Sequence, residues 1–128
     1  MSELRKGIAA SAVDAIASPG PGAVARRYRF GPGFPGFSGH FPGDPILPAV
    51  VQLLTVVTLA GEHAGAPLRL EAVRAAKFLS PIRPDDDVLV QYHVRTEDGS
   101  RLYDAALTVA GKPAATALLE LVDEEENG

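Results

Sequence analysis

The stretch GHFPGDPILPAVVQLLTVVTLAG, residues 39–61, decides how the rest of the chain is read. Its first ten positions hold one histidine, two glycines and three prolines, and from Ala49 to Gly61 no side chain is charged. Glycine and proline recur at this density from Gly31 onward, which neither a helix interior nor a central strand tolerates. Residues 31–48 therefore read as an ordered or functional loop. The apolar run after it is predicted to be a helix. Pro48 suits the first helical position, about 16 residues to His63 are too many for a strand, and Gly61, Gly65 and Pro67 supply stop signals. Because almost every face of this helix is apolar, other structure must wrap it.

Beyond the helix the pattern changes to period two. DVLVQYHVRT, from Asp87, sets Val88, Val90, Tyr92 and Val94 on one side and Gln91, His93 and Arg95 on the other. RLYDAALTVA places Tyr103, Ala105, Leu107 and Val109 together, PAATALLELV follows the turn-like Gly111-Lys112, and Asp98-Gly99 is a strong hairpin signal. RLEAVRAAKFLSPI admits a helix by composition but ends at Ser80-Pro81 and Pro84, so a long, bent strand is preferred. Upstream, SAVDAIAS (from Ser11) and AVARRYRF (from Ala23) are two short strand candidates. The predicted fold is α+β, one curved antiparallel sheet wrapped around one central helix.

Composition narrows the function. A chain of 128 residues forms one domain, here 1–128 with a frayed acidic tail from about 123, and can bury about two thirds of its unfolded surface without staples. The absence of cysteine excludes disulfides, thiolate catalysis and Cys-based metal sites, and fits a cytoplasmic location. A formal net charge of −4 argues against nucleic-acid binding. Asp14 interrupts what would be the hydrophobic region of a signal peptide, and residues 46–60 fall short of the ~20 apolar residues of a membrane span. The three histidines are too far apart in sequence for a metal motif, and Asp85, Asp86 and Asp87 lack calcium-loop spacing; no metal and no cofactor is expected.

With the element order in hand, His40-Phe41-Pro42-Gly43-Asp44-Pro45-Ile46-Leu47-Pro48-Ala49-Val50, with FSG before the histidine, resembles the signature of hotdog-fold 3-hydroxyacyl-acyl-carrier-protein dehydratases. AAKFLSPIRPDDDVLV resembles a second stretch of that family. The resemblance implies a lyase of fatty acid or polyketide biosynthesis that removes water from a 3-hydroxyacyl thioester carried on acyl carrier protein or coenzyme A. It implies a dimer, homomeric or with another hotdog chain. It gives His40 the part of base, Gly43, Ala49 and Val50 the mouth that steadies the thioester enolate, and Phe41, Leu54 and Thr58 a place along the substrate. The family's acid comes from the partner subunit fourteen residues after its histidine, where this chain has Leu54; Thr58 stands where glutamine is usual. Glu62 lies roughly 12 Å further along the helix axis and Gln52 projects to nearly the opposite side, so neither replaces the acid.

Rival readings follow from the same residues. His40 could simply tie down the loop. Asp44 sits before a helix N-terminus, where a carboxylate is favourable without chemistry. His63 suits the helix C-terminus, and His93 the polar side of a strand. Arg26, Arg27, Arg29, Arg74, Lys77 and Arg83 could rim a tunnel for a carrier protein or be ordinary exposed strand residues. In function, the alternatives to a dehydratase that depends on a partner's acid are a non-catalytic acyl-carrier or acyl-chain binding module and, last, an acyl-thioester hydrolase.

Overall fold

The computed structural model describes residues 3–37, 43 and 45–124. In order they form α1 (Glu3–Ala10), β1 (Ala23–Arg29), a 3-10 turn (Pro35–Phe37), α2 (Ala49–Ala64), β2 (Leu68–Phe78), β3 (Asp87–Glu97), β4 (Ser100–Val109) and β5 (Lys112–Asp123). The five strands make one antiparallel sheet in the order β1-β3-β4-β5-β2. Helix α2 packs against the sheet, as the apolar run predicts. Among the described residues no helix is long and apolar enough to cross a membrane.

The period-two segments place their side chains as expected. Val88, Val90 and Tyr92 of β3, Tyr103, Ala105 and Leu107 of β4, and Leu119 and Leu121 of β5 share one core with Val56 and Leu59 of α2. Each such aliphatic burial is worth about 1.5–3 kcal/mol. Asp98 and Gly99 join β3 to β4 with φ of 49° and 81°, the two positive angles that a tight hairpin turn requires. Strand β2 is the long, bent strand preferred above. Its register against β5 shifts between Leu70 and Ala72 and again between Val73 and Ala75, and such bulges bend a strand.

Three expectations need correction. Residues 11–18 are not a regular strand: they touch β1 only through the isolated bridges Ala12–Tyr28 and Ala17–Ala25. Between these, Asp14 Oδ1 accepts the Arg27 N–H at 2.9 Å, so a side chain takes a ladder position from the backbone. Pro48 is the N-cap of α2 rather than its first helical residue, with an extended backbone (φ −61°, ψ 151°). A second helix, α1, stands ahead of the sheet where a single helix was expected. It is held by Ile8, which is fully buried, and by Gly7, where an added Cβ would lie 3.2 Å from the Phe34 ring. Phe34 in turn joins an aromatic row from Tyr28 through Phe30 to Phe37, which docks the Gly/Pro loop on the core.

At the other end of the chain β5 runs to Asp123, and the Glu124 N–H donates to the Pro67 carbonyl at 3.2 Å.

Candidate active site at the mouth of helix α2

The start of α2 is fixed by backbone and one amide side chain. The Pro48 carbonyl accepts from the N–H groups of both Val51 and Gln52 at 3.1 Å. The Leu47 N–H donates to the Ile82 carbonyl at 2.8 Å, and the Gln52 Nε2 donates to the Leu47 carbonyl at 3.0 Å. Gln52 is buried, so this bond ties the first turn of α2 to the chain leading into it. Among the described residues the N–H groups of Ala49 and Val50 have no hydrogen-bond partner, and no side chain caps them. They carry the partial positive charge of a sixteen-residue helix. A cavity of about 320 Å³ opens beside them, lined by Leu47, Ala49 and Gln52 on one side and by Phe78, Leu79 and Pro81 on the other.

The predicted site residues divide into three groups. His40, Phe41 and also Asp44 lie outside the described residues. Gly43 is described, with φ of +91°, a left-handed conformation that a side chain would strain. Ala49 and Val50 sit at the mouth, and Leu54 and Thr58 follow Val50 at four-residue spacing on the same side of the helix. Val50 is 60% exposed, whereas Leu54 and Thr58 are half-buried. The Thr58 hydroxyl is covered and has no hydrogen-bond partner among the described residues.

Glu62 is engaged elsewhere. Its Oε2 accepts from the Arg26 guanidinium at 2.9 Å, in a pair whose side chains are only 18% and 35% exposed. Beneath the pair, burial pushes the Tyr28 hydroxyl up to about 12, with Glu62 adding to the rise and Arg26 opposing it. The Arg26 Nε also holds the Asp14 carbonyl at 2.8 Å. Arg29 pairs with Asp87, and Arg74 with Glu120, whose carboxyl is held below its ordinary range by that hydrogen bond. His63 and His93 are exposed, and among the described residues no cluster could hold a metal ion. Asp85 and Asp86 lie in the turn before β3, where Asp86 Oδ2 accepts the Arg83 N–H at 2.8 Å, and Asp87 opens the strand.

Residues 21–116 match the family model of the ApeI-like proteins, described as ApeI dehydratase. The chain belongs to this dehydratase family. A 3-hydroxyacyl-[acyl-carrier-protein] dehydratase FabZ of Latilactobacillus sakei is 33% identical over 100 residues, which cover 69% of each protein. Another FabZ, from Syntrophobacter fumaroxidans, is 29% identical over 73 residues, 51% of this chain, and there the match spans half the length of the relative. In structure, the chain superposes with a TM-score of 0.69 on the dehydratase heterocomplex ApeI:P from Xenorhabdus doucetiae, covering 84% of this chain and 93% of that one at 20% identity. This likeness is one of fold, and it makes the curved sheet around α2 a hotdog.

The sequence reading of this member of the ApeI-like family missed one residue that shapes the mouth. Gln52 has no place in the chemistry expected above, yet it is the polar side chain that fixes the start of α2. A lone amide in an apolar helical run is the signal that could have found it, because burying such a group is costly unless it is bonded; here Nε2 is bonded while the buried Oε1 has no partner among the described residues.

Proposed function

We propose that this chain is one subunit of a 3-hydroxyacyl-thioester dehydratase in which it supplies the base and the enolate-stabilising mouth while a second hotdog chain supplies the acid. The observation that carries this reading is Leu54, an aliphatic side chain on the Val50–Thr58 side of α2 at the position of the family's acid. In the proposed reaction His40 takes the proton from the carbon next to the thioester carbonyl. The negative charge that develops on the carbonyl oxygen is met by the N–H groups of Gly43, Ala49 or Val50 at the positive end of α2. A carboxyl group from the partner protonates the 3-hydroxyl, which leaves as water and yields the enoyl thioester.

The surface supports a partner. Strand β2 ends the sheet, so one of its backbone edges is unpaired in the isolated chain. Val73, Phe78 and Leu79 on and beside it are 45%, 45% and 57% exposed, and Val50 adds to the exposed apolar surface. Lys77, next to Phe78 on this strand, forms no ion pair among the described residues and in this reading meets the phosphate of a carrier arm.

The test gives the purified chain 3-hydroxyacyl thioesters, wild type beside Leu54→Glu and the double variant Leu54→Glu/His40→Ala. Dehydration gained by the single variant and lost in the double one supports the proposal. Ordinary turnover by the wild-type homomer refutes the need for a partner's acid. Leu54 also favours the second reading, a non-catalytic acyl-binding module, since an apolar chamber suits a hydrocarbon and hinders proton transfer. Thioester binding that is unchanged by His40→Ala, with no activity in any variant, would select it.

A further inference from the structure

We propose that residues 11–20 are a built-in lock on the β1 edge of the sheet, which keeps a second copy of this chain from pairing its own β1 there. Along an antiparallel strand the backbone groups of successive residues point to alternate sides. In β1 those of Val24, Arg26 and Tyr28 face β3, and those of Ala23, Ala25, Arg27 and Arg29 face outward. Every one of these outward N–H groups is taken by the segment just upstream. The Ala23 N–H donates to the Gly20 carbonyl at 3.0 Å, the Ala25 N–H to the Ala17 carbonyl at 2.8 Å and the Arg29 N–H to the Ser11 carbonyl at 2.9 Å. The Arg27 N–H donates to Asp14 Oδ1 at 2.9 Å. Outward carbonyls are met as well, that of Ala25 by the Ala17 N–H at 2.8 Å and that of Arg27 by the Val13 N–H at 3.0 Å.

The segment closes the edge without becoming a strand itself. A regular sixth strand would satisfy β1 but present a fresh row of unpaired backbone groups on its far side. Residues 11–20 meet β1 through the isolated bridges Ala12–Tyr28 and Ala17–Ala25, and between these the Asp14 carboxylate takes a ladder position, so no continuous row is passed outward. Helix α1 bounds the segment at one end and Pro19-Gly20-Pro21 at the other, where the prolines have no N–H to offer. Arg26 staples it: its Nε donates to the Asp14 carbonyl at 2.8 Å while its Nη1 holds Glu62 of α2. Strand β2, at the opposite edge, has β5 on one side and no backbone partner on the other among the described residues. The two edges differ in kind, and strand pairing between chains is confined to β2. With the lock open, the β1 strands of two copies pair about a two-fold axis, and chains already joined through β2 grow into open-ended assemblies.

The test opens the lock in the full chain and follows mass by sedimentation across a range of concentrations. Val13→Pro/Ala17→Pro removes the two N–H groups that the segment gives to β1, and Ala25→Pro removes an outward N–H of β1 itself. The double variant, its fold checked by near-ultraviolet circular dichroism, should reach at least twice the wild-type mass at high concentration. Adding Ala25→Pro to it, with the same check, should return the mass to that of the wild type. A folded double variant of wild-type mass overturns the proposal, as does a gain in mass that Ala25→Pro leaves in place, since the contact then lies elsewhere. Should the double variant fail to fold, Asp14→Ala carries the test through amide hydrogen exchange: the Arg27 amide should exchange about fivefold faster and the Ala25 amide at its wild-type rate. An Arg27 amide as protected as in the wild type overturns the lock. No thioester enters any of these measurements, so their outcome is independent of the proposed reaction.

Discussion

The two ends of helix α2 are built on opposite plans. At the N-terminus two backbone N–H groups have no partner among the described residues, the cap has no side-chain bond, and Val50 is exposed. At the C-terminus everything is closed: Gly65 turns left-handed at φ 75°, the Ala66 N–H returns to the Gly61 carbonyl at 3.2 Å, and Arg26 and Glu62 pair over the buried Tyr28. Unsatisfied donors are tolerated at an end that meets a ligand, whereas an end that anchors the helix must satisfy its own groups. Under the proposed function, chemistry belongs to the open end and stability to the closed one.

The sharpest way to break this contrast is Leu54→Glu, between the two ends. Restoring a carboxyl group should raise dehydration by the chain on its own by ~10²–10⁴, followed as enoyl thioester formed. No gain, with substrate binding intact, would mean that the mouth is not arranged for this reaction. Next in size, Leu59→Ala removes a fully buried side chain near the anchored end and should cost about 2–5 kcal/mol in denaturant unfolding. Val50→Ala at the open end should stay within about 0.5 kcal/mol. Similar costs at both positions would erase the distinction.

Alkaline pH tests the anchored end through Tyr28. The unfolded phenol titrates near 10 and the folded one is pushed up to about 12, so between these values the unfolded chain gives up a proton that the folded one keeps. Stability is therefore fully present below pH 10 and falls as pH rises through 12, by up to about 2–3 kcal/mol from this residue. Tyr92, raised in the same direction by its burial, adds to the loss, so Tyr28→Phe should reduce the slope without abolishing it. A profile identical to that of the wild type would remove Tyr28 from the account. A smaller effect than at Leu59 is expected for Gly65→Ala, which puts a side chain at a left-handed position and should cost about 1–2 kcal/mol, read from the thermal midpoint.

How much of this was legible in the sequence depends on how each segment meets its neighbours. Strands β3, β4 and β5 bury alternate residues on one face, so their period of two appears directly in the order Val88, Val90, Tyr92. Strand β2 lies at the sheet edge and is exposed along most of its second half, so burial imposes no alternation there and its composition also admitted a helix. Helix α1 contributes one fully buried residue, Ile8, with Leu4 packed beside it; that pair at four-residue spacing was the available signal, too short to outweigh the neighbouring glycine and serine. Helix α2 was legible because its apolar run is long and bounded by proline and glycine. For the site, the spacing from His40 picked out Leu54 and Thr58, and the structure places them on one side of α2 in line with Val50. The engagement of Glu62 by Arg26 joins residues 36 apart and has no local signature.

The contact between Gly7 and the Phe34 ring has a practical bearing on how the protein is altered. It works as a mechanical linkage: a bulky side chain at position 7 would press on Phe34, and the push would pass by an edge-on ring contact to Phe37, three residues short of the histidine motif. An amino-terminal helix thus becomes a handle on the loop that leads to the histidine motif.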